Sequence, residues 1–327
     1  MHLLAGRSCR YIGTPEAGDE GMSHLKTAVA LFERLNDQGK VGEAYSSLCT
    51  LADHFGEPGI SKEAFLSSQK AFNLARDPAG LAVLQRKSGI LFDSRRVINF
   101  IEDAVETFKK ANSMVELARC YNNLGGEQFY IGEPDKARDR FLQAIETYRL
   151  FDFYEVDAPL NNLGLVQLQL GELSHARDSL LEAERRASES FNVICIESNL
   201  ATLEWKSGST VDAVKRVKKL LPLVEKSGEP MIQDYFAFNY AASLSRVGRH
   251  EEALEWLEKY EPNKWKNDES LVVAKRMKAK ARILEALGRD FEAKAAQHEA
   301  DYGFTTNRPQ KWFYELDYYP CDIHILD

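Results

Sequence analysis

A Gly-x4-Ala signature recurs along this chain at Gly59/Ala64, Gly132/Ala137, Gly171/Ala176, Gly208/Ala213, Gly248/Ala253 and Gly288/Ala293. Two further copies keep the alanine and replace the glycine, as Ser23/Ala28 and Asn99/Ala104. Successive alanines of the series fall 33 to 40 residues apart. A period of that length marks a helical hairpin too small to bury its own apolar face, which becomes stable only by stacking on copies of itself. The chain is therefore expected to be a helical repeat array, and its function has to sit on a stacked surface. Its 327 residues exceed what one compact core usually serves, but an array adds core with each repeat and needs no second domain on that ground.

Around Gly132 the sequence runs ARCYNNLGGEQFYIGEPDKARDRFLQAIETY, with apolar residues at helical spacing on both sides of a Gly-Glu-Pro turn. The following unit repeats the pattern as NNLGLVQLQLGELSHARDSLLEA. Leu124-Gly125 in the first helix, Gly132 at the turn, and Ala137, Phe141 and Ala144 in the second helix resemble the tetratricopeptide repeat, as do Leu163-Gly164, Gly171, Ala176, Leu180 and Ala183. Small residues at these positions allow close helix approach while Phe141 fills the space between helices, so their role is structural. Later units diverge, carrying Ala201, Ala213 and Val217, then Ala241, Ala253 and Leu257, then Ala281 and Ala293. The resemblance implies an all-α, right-handed α-solenoid of about eight tetratricopeptide hairpins. Most spacings exceed the family's standard length, which implies helices longer by about a turn or extended connections, with Phe151-Asp152-Phe153-Tyr154 as one such extension. Long repeats occur in the regulatory and adaptor branches of the family.

Three segments are expected: an interrupted first repeat over 1–22, the solenoid over 23–302, and a non-repeat aromatic cap or tail over 303–327. Gly13, Pro15, Gly18 and Gly21 break the first segment before the helix containing Ala28. It lacks the polar outer face of a terminal repeat, so the chain is expected to be the C-terminal part of a larger protein carrying an effector domain. The last segment gathers Trp312, Phe313, Tyr314, Tyr318 and Tyr319 between Pro309 and Pro320. It is expected to cover the last hairpin's apolar edge, with occupation of the groove or a separate docking patch as alternatives.

A formal net charge of -8 argues against a general nucleic-acid surface. The one local basic run, Lys215, Arg216, Lys218 and Lys219, is expected to be a solvated face near a helix end. Five widely spaced cysteines, Cys9, Cys49, Cys120, Cys195 and Cys321, form no CxxC pair and suit a reducing, cytoplasmic setting. No run approaches the length of a membrane helix, so no membrane partner is expected. There is no nucleophile elbow, P-loop, HExxH or dinucleotide fingerprint, and no cofactor or enzymatic activity is expected. The Cys321, Asp322 and His324 cluster lacks a second ligand pair, so no metal site is expected there.

One constellation rises above the scaffold. Two residues before the small residue of the first helix, asparagine stands in four consecutive units as Asn123, Asn162, Asn199 and Asn239. In the tetratricopeptide family this position faces the concave groove, and the resemblance implies a row that grips the main chain of an extended peptide. A carboxamide suits that task because it both donates and accepts hydrogen bonds. By the same register the neighbours that set sequence preference include Asn122, Asn161, Phe129, Tyr130, Leu168, Gln169, Trp205, Lys206, Ser245, Arg246 and Arg282. The basic carboxylate clamp of chaperone-binding members is not evident. The expected function is a protein-interaction module that holds a protein or peptide segment in the groove. The alternative is a ligand-sensing regulatory domain, either a peptide-pheromone receptor or the sensor part of a STAND-type signal-transducing ATPase. Replacing the four asparagines by alanine is expected to spare the fold and weaken binding.

Overall fold

The computed structural model describes residues 1–9, 15–55, 57–86, 94–151, 155–188, 190–227, 230–259 and 271–307. All regular structure among them is helical, as the apolar periodicity requires. The chain divides into two compact units, Met1–Glu127 and Gln128–His324.

In the first unit, α1 (His2–Ser8) pairs with α2 (Pro15–Arg34), α3 (Gln38–His54) with α4 (Pro58–Ala75), and α5 (Pro78–Arg86) with α6 (Ser94–Lys110); α7 (Met114–Tyr130) follows. Its core is Leu25, Leu48, Leu51, Phe65, Phe72 and Leu84, closed by the buried alanines Ala28, Ala44, Ala52 and Ala64. Phe72 is wedged between Gly42 and Gly80, whose missing Cβ atoms would stand 2.7 and 2.4 Å from its ring. Ser68 Oγ donates to the Gly42 carbonyl at 2.7 Å and Ser61 Oγ to the Cys49 carbonyl at 3.1 Å, tying α4 to α3.

Residues 1–22 differ from expectation. Helix α2 begins at Pro15 and runs through residue 22, so Gly18 and Gly21 lie inside a 20-residue helix. They are contact glycines: a Cβ on Gly18 would meet the Phe55 ring at 2.7 Å, and one on Gly21 would meet Cys9 Cβ at 2.7 Å. The glycines admit neighbouring helices where the sequence alone implied a break.

In the second unit, α8 (Pro134–Leu150) precedes the hairpins α9 (Asp157–Leu170) with α10 (Leu173–Arg186), and α11 (Ser190–Lys206) with α12 (Thr210–Lys219). A short α13 (Leu221–Ser227) leads to α14 (Pro230–Arg246) with α15 (His250–Lys259), then α16 (Leu271–Ala286) with α17 (Asp290–Asn307). The helix α17 continues beyond the expected end of the repeats at residue 302. Ala137, Phe141 and Ala144 are fully buried, as their packing role requires. Phe236, Tyr240 and Trp256 form an aromatic cluster with centroids 5.2 to 5.6 Å apart.

The signature glycine has two local roles. Gly132, Gly171, Gly208, Gly248 and Gly288 end their helices with φ between 72° and 89°, the left-handed region that glycine enters without steric cost. The earlier copies do not make turns, since Ser23, Gly59 and Asn99 lie inside α2, α4 and α6, whose starts reach further back. There, the left-handed residues are Asn36, Arg76 and Asn112, each following its second helix.

At Gly164 the close approach is tight enough to decide the sign of a substitution. A Cβ there would stand 2.6 Å from Leu180 Cγ, and Leu180 is fully buried. Helix propensity alone would make Gly164→Ala stabilising by about 1 kcal/mol, whereas overpacking costs about 1–3 kcal/mol. Urea unfolding is expected to show a net loss of about 1 kcal/mol, and a gain would contradict the helix contact.

Asp53, near the C-terminal end of α3, carries a second stability consequence. Burial pushes its carboxyl up to about 6, and the negative end of the helix dipole acts in the same direction. The folded state therefore holds this proton more tightly than the unfolded chain. Stability is greatest below about pH 4, falls between about pH 4 and 6, and stays lower above that. Asp53→Asn is expected to stabilise the protein at pH 7.5 by about 1–2 kcal/mol and to leave it nearly unchanged at pH 4. An equal effect at both pH values in denaturant titrations would rule this origin out.

Candidate functional site

In the second unit the asparagine row lies on α9, α11 and α14, the first helices of three successive hairpins. Every residue from Val156, at the start of α9, to Leu168 is buried, and α9 packs on α8, α10 and α11 within this unit. Asn161 and Asn162 sit in the middle of that helix, and Asn161 Nδ2 donates to Asn162 Oδ1 at 3.1 Å. From the next repeat, Asn199 Nδ2 donates to Asn161 Oδ1 at 2.8 Å. Three carboxamides from two repeats thus form one hydrogen-bonded chain, oriented Asn199 to Asn161 to Asn162. Asn239 is also buried, on α14, with the Ser243 hydroxyl one turn on donating to the Asn239 carbonyl at 2.8 Å.

In the first unit Asn122 and Asn123 repeat the local arrangement on α7. Asn122 Nδ2 donates to Asn123 Oδ1 at 3.2 Å, and both side chains are buried. Asn199 is 0% exposed and Asn162 1%, and the amide atoms engage one another.

The structure adds residues that the asparagine pattern did not mark. Ser198 precedes Asn199 where Asn161 precedes Asn162, so it occupies the same register. It is 2% exposed, and its Oγ has no hydrogen-bond partner among the described residues. A buried hydroxyl left without a partner costs about 1–3 kcal/mol, which makes it a natural contact for a further group. Thr202 and Ser243 are buried on the same helices, one turn beyond Asn199 and Asn239. On α16, Lys275 and Arg276 are 2% and 1% exposed. Cations are buried to this degree almost only with compensating charge. The shared helical register could have exposed Ser198, but nothing in the sequence predicted burial of two adjacent cations.

The flanking positions form a different kind of surface. Trp205 closes α11, with the Arg246 guanidinium from α14 stacked 3.7 Å from its ring centroid and Lys206 Nζ at 5.6 Å. The Arg246 contact joins two neighbouring repeats at the end of the row. Lys206 and Arg282 are exposed, while Tyr130 is half-buried with its ring edge-on to Phe129 at 6.2 Å. Phe129 and Leu168, expected among the specificity neighbours, are buried.

The basic run on α12 is not a free cationic face. Arg216 reaches Glu197 at 2.6 Å, Glu204 at 2.8 Å and Glu184 at 3.3 Å, clipping α12 to α10 and α11. Lys215 pairs with Asp212 at 3.2 Å. Burial pushes the Glu197 carboxyl up despite the Arg216 contact, with the nearby Glu184 adding to the rise. These residues form a structural clip, which removes the central cation from any phosphate-binding surface.

Cys9, Cys49, Cys120 and Cys195 are buried. Burial drives the Cys120 thiol up to about 12 and leaves it unreactive at neutral pH. No group of three or more His, Cys, Asp or Glu residues arranged to hold a metal occurs among the described residues. The Cys321, Asp322 and His324 cluster, the Phe151–Tyr154 extension beyond Phe151 and the aromatic tail lie outside them. Among the described residues, no helix is long and apolar enough to cross a membrane.

No protein-family model matches the chain, and no curated protein matches it. Solved structures do. The Rap conjugation gene regulator of plasmid pLS20, in complex with the Phr* peptide, superposes with a TM-score of 0.65 at 15% identity, covering 84% of this chain and 77% of that one. The quorum sensor NprR from B. thuringiensis gives 0.64 at 11% identity, covering 93% and 86%. A tetratricopeptide repeat protein from Parabacteroides merdae gives 0.50 at 15% identity, covering 80% and 92%. The fold is an all-α solenoid of tetratricopeptide-repeat type.

Proposed function

We propose that this chain is a non-catalytic binding module that takes a protein or peptide segment against the asparagine-bearing helices of its second unit. The observation that carries the reading is the carboxamide chain Asn199–Asn161–Asn162 with the partnerless Ser198 hydroxyl beside it. Carboxamides placed in register on otherwise apolar helices supply matched donors and acceptors for an extended main chain, independent of the ligand's side chains. Asn239 extends the row by one repeat, while Trp205, Lys206, Arg246 and Arg282 offer stacking and charge as anchors at its margin. In the first unit, Asn122 and Asn123 present a second amide pair of the same kind. The Rap structure with its Phr* peptide supports the ligand class, since it shares this fold.

The row is buried in this structure, so a ligand reaches it only when the groups covering it withdraw. A reducing compartment suits the buried thiols. The second reading, a ligand-sensing regulatory domain coupled to an effector, is favoured by the likeness to Rap and NprR. Small-angle scattering separates the two, because a sensor changes its dimensions on binding and a display scaffold changes little.

Panning a phage-displayed random peptide library against the native chain and a variant with Asn161, Asn162, Asn199 and Asn239 all changed to alanine tests the binding face. Peptides selected by the native chain and lost by the folded variant are expected. Equal enrichment on both places binding elsewhere.

A further inference from the structure

The first unit has an open cavity of about 610 Å³ lined by α1, α3 and the start of α5. That volume lies in the range of sites for small organic ligands. Leu51, Phe72 and Val83 give it an apolar part, and its remaining walls carry charge of both signs, three carboxylates against two cations. Glu43 is held between the cations, with Arg7 Nη2 donating at 3.0 Å and Lys40 Nζ at 2.6 Å. Arg7 Nε donates to Ser47 Oγ at 2.8 Å, which leaves Nη1 for a further acceptor. Asp37 and Asp77 stand at the starts of α3 and α5, where the Oδ1 of each accepts a backbone N–H, from Lys40 at 3.0 Å and from Gly80 at 2.9 Å. Neither carboxylate forms an ion pair among the described residues, so each Oδ2 is left for a further donor. Ser46 lines the same cavity at 7% exposure, and its hydroxyl has no hydrogen-bond partner among the described residues.

We propose that this cavity binds a short free peptide of about three residues, held by both of its charged termini. Its ammonium group meets Asp37 and Asp77, its carboxylate meets Arg7, and an apolar side chain lies against Phe72 and Val83. Unused capacity of both signs selects a zwitterion. A plain cation would leave the spare Arg7 donors unmet, and a plain anion would face two carboxylates that no cation offsets. The separation of the two ends sets the length. Along α3, Asp37 precedes the two Arg7 contacts, Glu43 and Ser47, by six and ten residues, which a helical rise converts to ~9–15 Å. A single amino acid is too short for that span, whereas three extended residues cover ~10 Å. The partnerless Ser46 hydroxyl then serves a main-chain group of the ligand, which removes the cost of its burial.

The cavity is built from first-unit residues alone and shares none with the asparagine-bearing helices of the second unit. It therefore stands or falls separately from the binding face proposed above. The ligand differs too, since a peptide read by its two ends is a small free molecule, whereas an amide track grips the main chain of a segment at any point along a chain.

The test uses the full chain and calorimetric titration with the tripeptide Ala-Leu-Ala in three forms: free at both ends, acetylated at its amine, and amidated at its carboxylate. Free leucine is the length control. The free tripeptide is expected to bind, and blocking either end is expected to weaken it at least about tenfold, as loss of a charge-assisted hydrogen bond does. Leucine is expected to bind at least about tenfold more weakly as well, because it meets only one end. Two variants assign the ends. D37N with D77N keeps both helix starts capped, since asparagine caps as well as aspartate, and is expected to bind the free and acetylated tripeptides equally. R7Q is expected to bind the free and amidated tripeptides equally. No binding of Ala-Leu-Ala overturns the proposal, and so does equal binding of its free and blocked forms or a match between leucine and the tripeptide. Full sensitivity to both blocks in the folded D37N/D77N and R7Q chains places the site elsewhere and overturns it too. Phage-selected peptides that depend on the second-unit asparagines, together with failure here, remove this site and leave the asparagine track standing.

Discussion

Arg216→Ala is expected to lower the unfolding free energy of the second unit by about 3 kcal/mol. Its guanidinium contacts Glu197, Glu204 and Glu184, two of them from α11 and one from α10, and its side chain is only 25% exposed. Removing it deletes three charge-assisted contacts and leaves the carboxylates facing one another where water screens them poorly. Fully buried pairs lose about 3–5 kcal/mol when one partner is removed, and the partial exposure of Glu184 places this site at the lower end. Arg216→Lys keeps the charge but cannot reproduce a fork that reaches three acceptors, so it is expected to recover less than half of the loss. Denaturant unfolding monitored by circular dichroism measures both. A loss under about 1 kcal/mol for the alanine variant would show the clip to be an ordinary surface pair. Because neighbouring repeats stabilise one another, the lesion is expected to loosen α10 to α12 before the rest, visible as selective loss of amide exchange protection there.

The second large effect lies in binding. Exchanging Asn161, Asn162, Asn199 and Asn239 together for alanine removes the hydrogen-bond chain within the track along with the groups that would meet a ligand main chain. With about 1 kcal/mol net for each hydrogen bond to the ligand that is removed, ligand affinity is expected to fall at least about 100-fold. From sequence, the exchange of Asn123, Asn162, Asn199 and Asn239 is expected to spare the fold. The structure changes that part, because the amides bond to one another. Asn161→Ala alone strips both Asn199 and Asn162 of a partner, and is expected to cost more stability per residue than the fourfold change. Single and fourfold variants therefore separate the structural share of the row from its binding share.

The repeat was legible because alanine and glycine mark the places where helices touch. Ala137, Ala176, Ala213 and Ala253 are all fully buried, and Gly164 admits Leu180. The same rule misled at Gly18 and Gly21, where glycine inside a helix resembles a chain break until the partner side chains Phe55, Cys9 and Leu51 are seen. It also misplaced the early turns, since Ser23, Gly59 and Asn99 keep their offset from the alanine while the helix start moves upstream. In-register asparagines could be counted in the sequence. Their mutual hydrogen bonds could not, because the Asn199 to Asn161 contact joins residues 38 apart through the stacking of two repeats. Arg216 failed as a surface cation for a similar reason, since its carboxylate partners come from two other helices. Lys275 and Arg276 carried no sequence signal of burial at all, as neither repeats in any other unit.

The most direct measurement is the affinity of one library-selected peptide, determined by isothermal calorimetry, for the native chain and for the folded fourfold asparagine variant. A drop of at least about 100-fold, with helical content preserved, is the result expected of a main-chain-gripping track. Matching affinities in the two proteins would contradict it and move the binding surface off the asparagine-bearing helices.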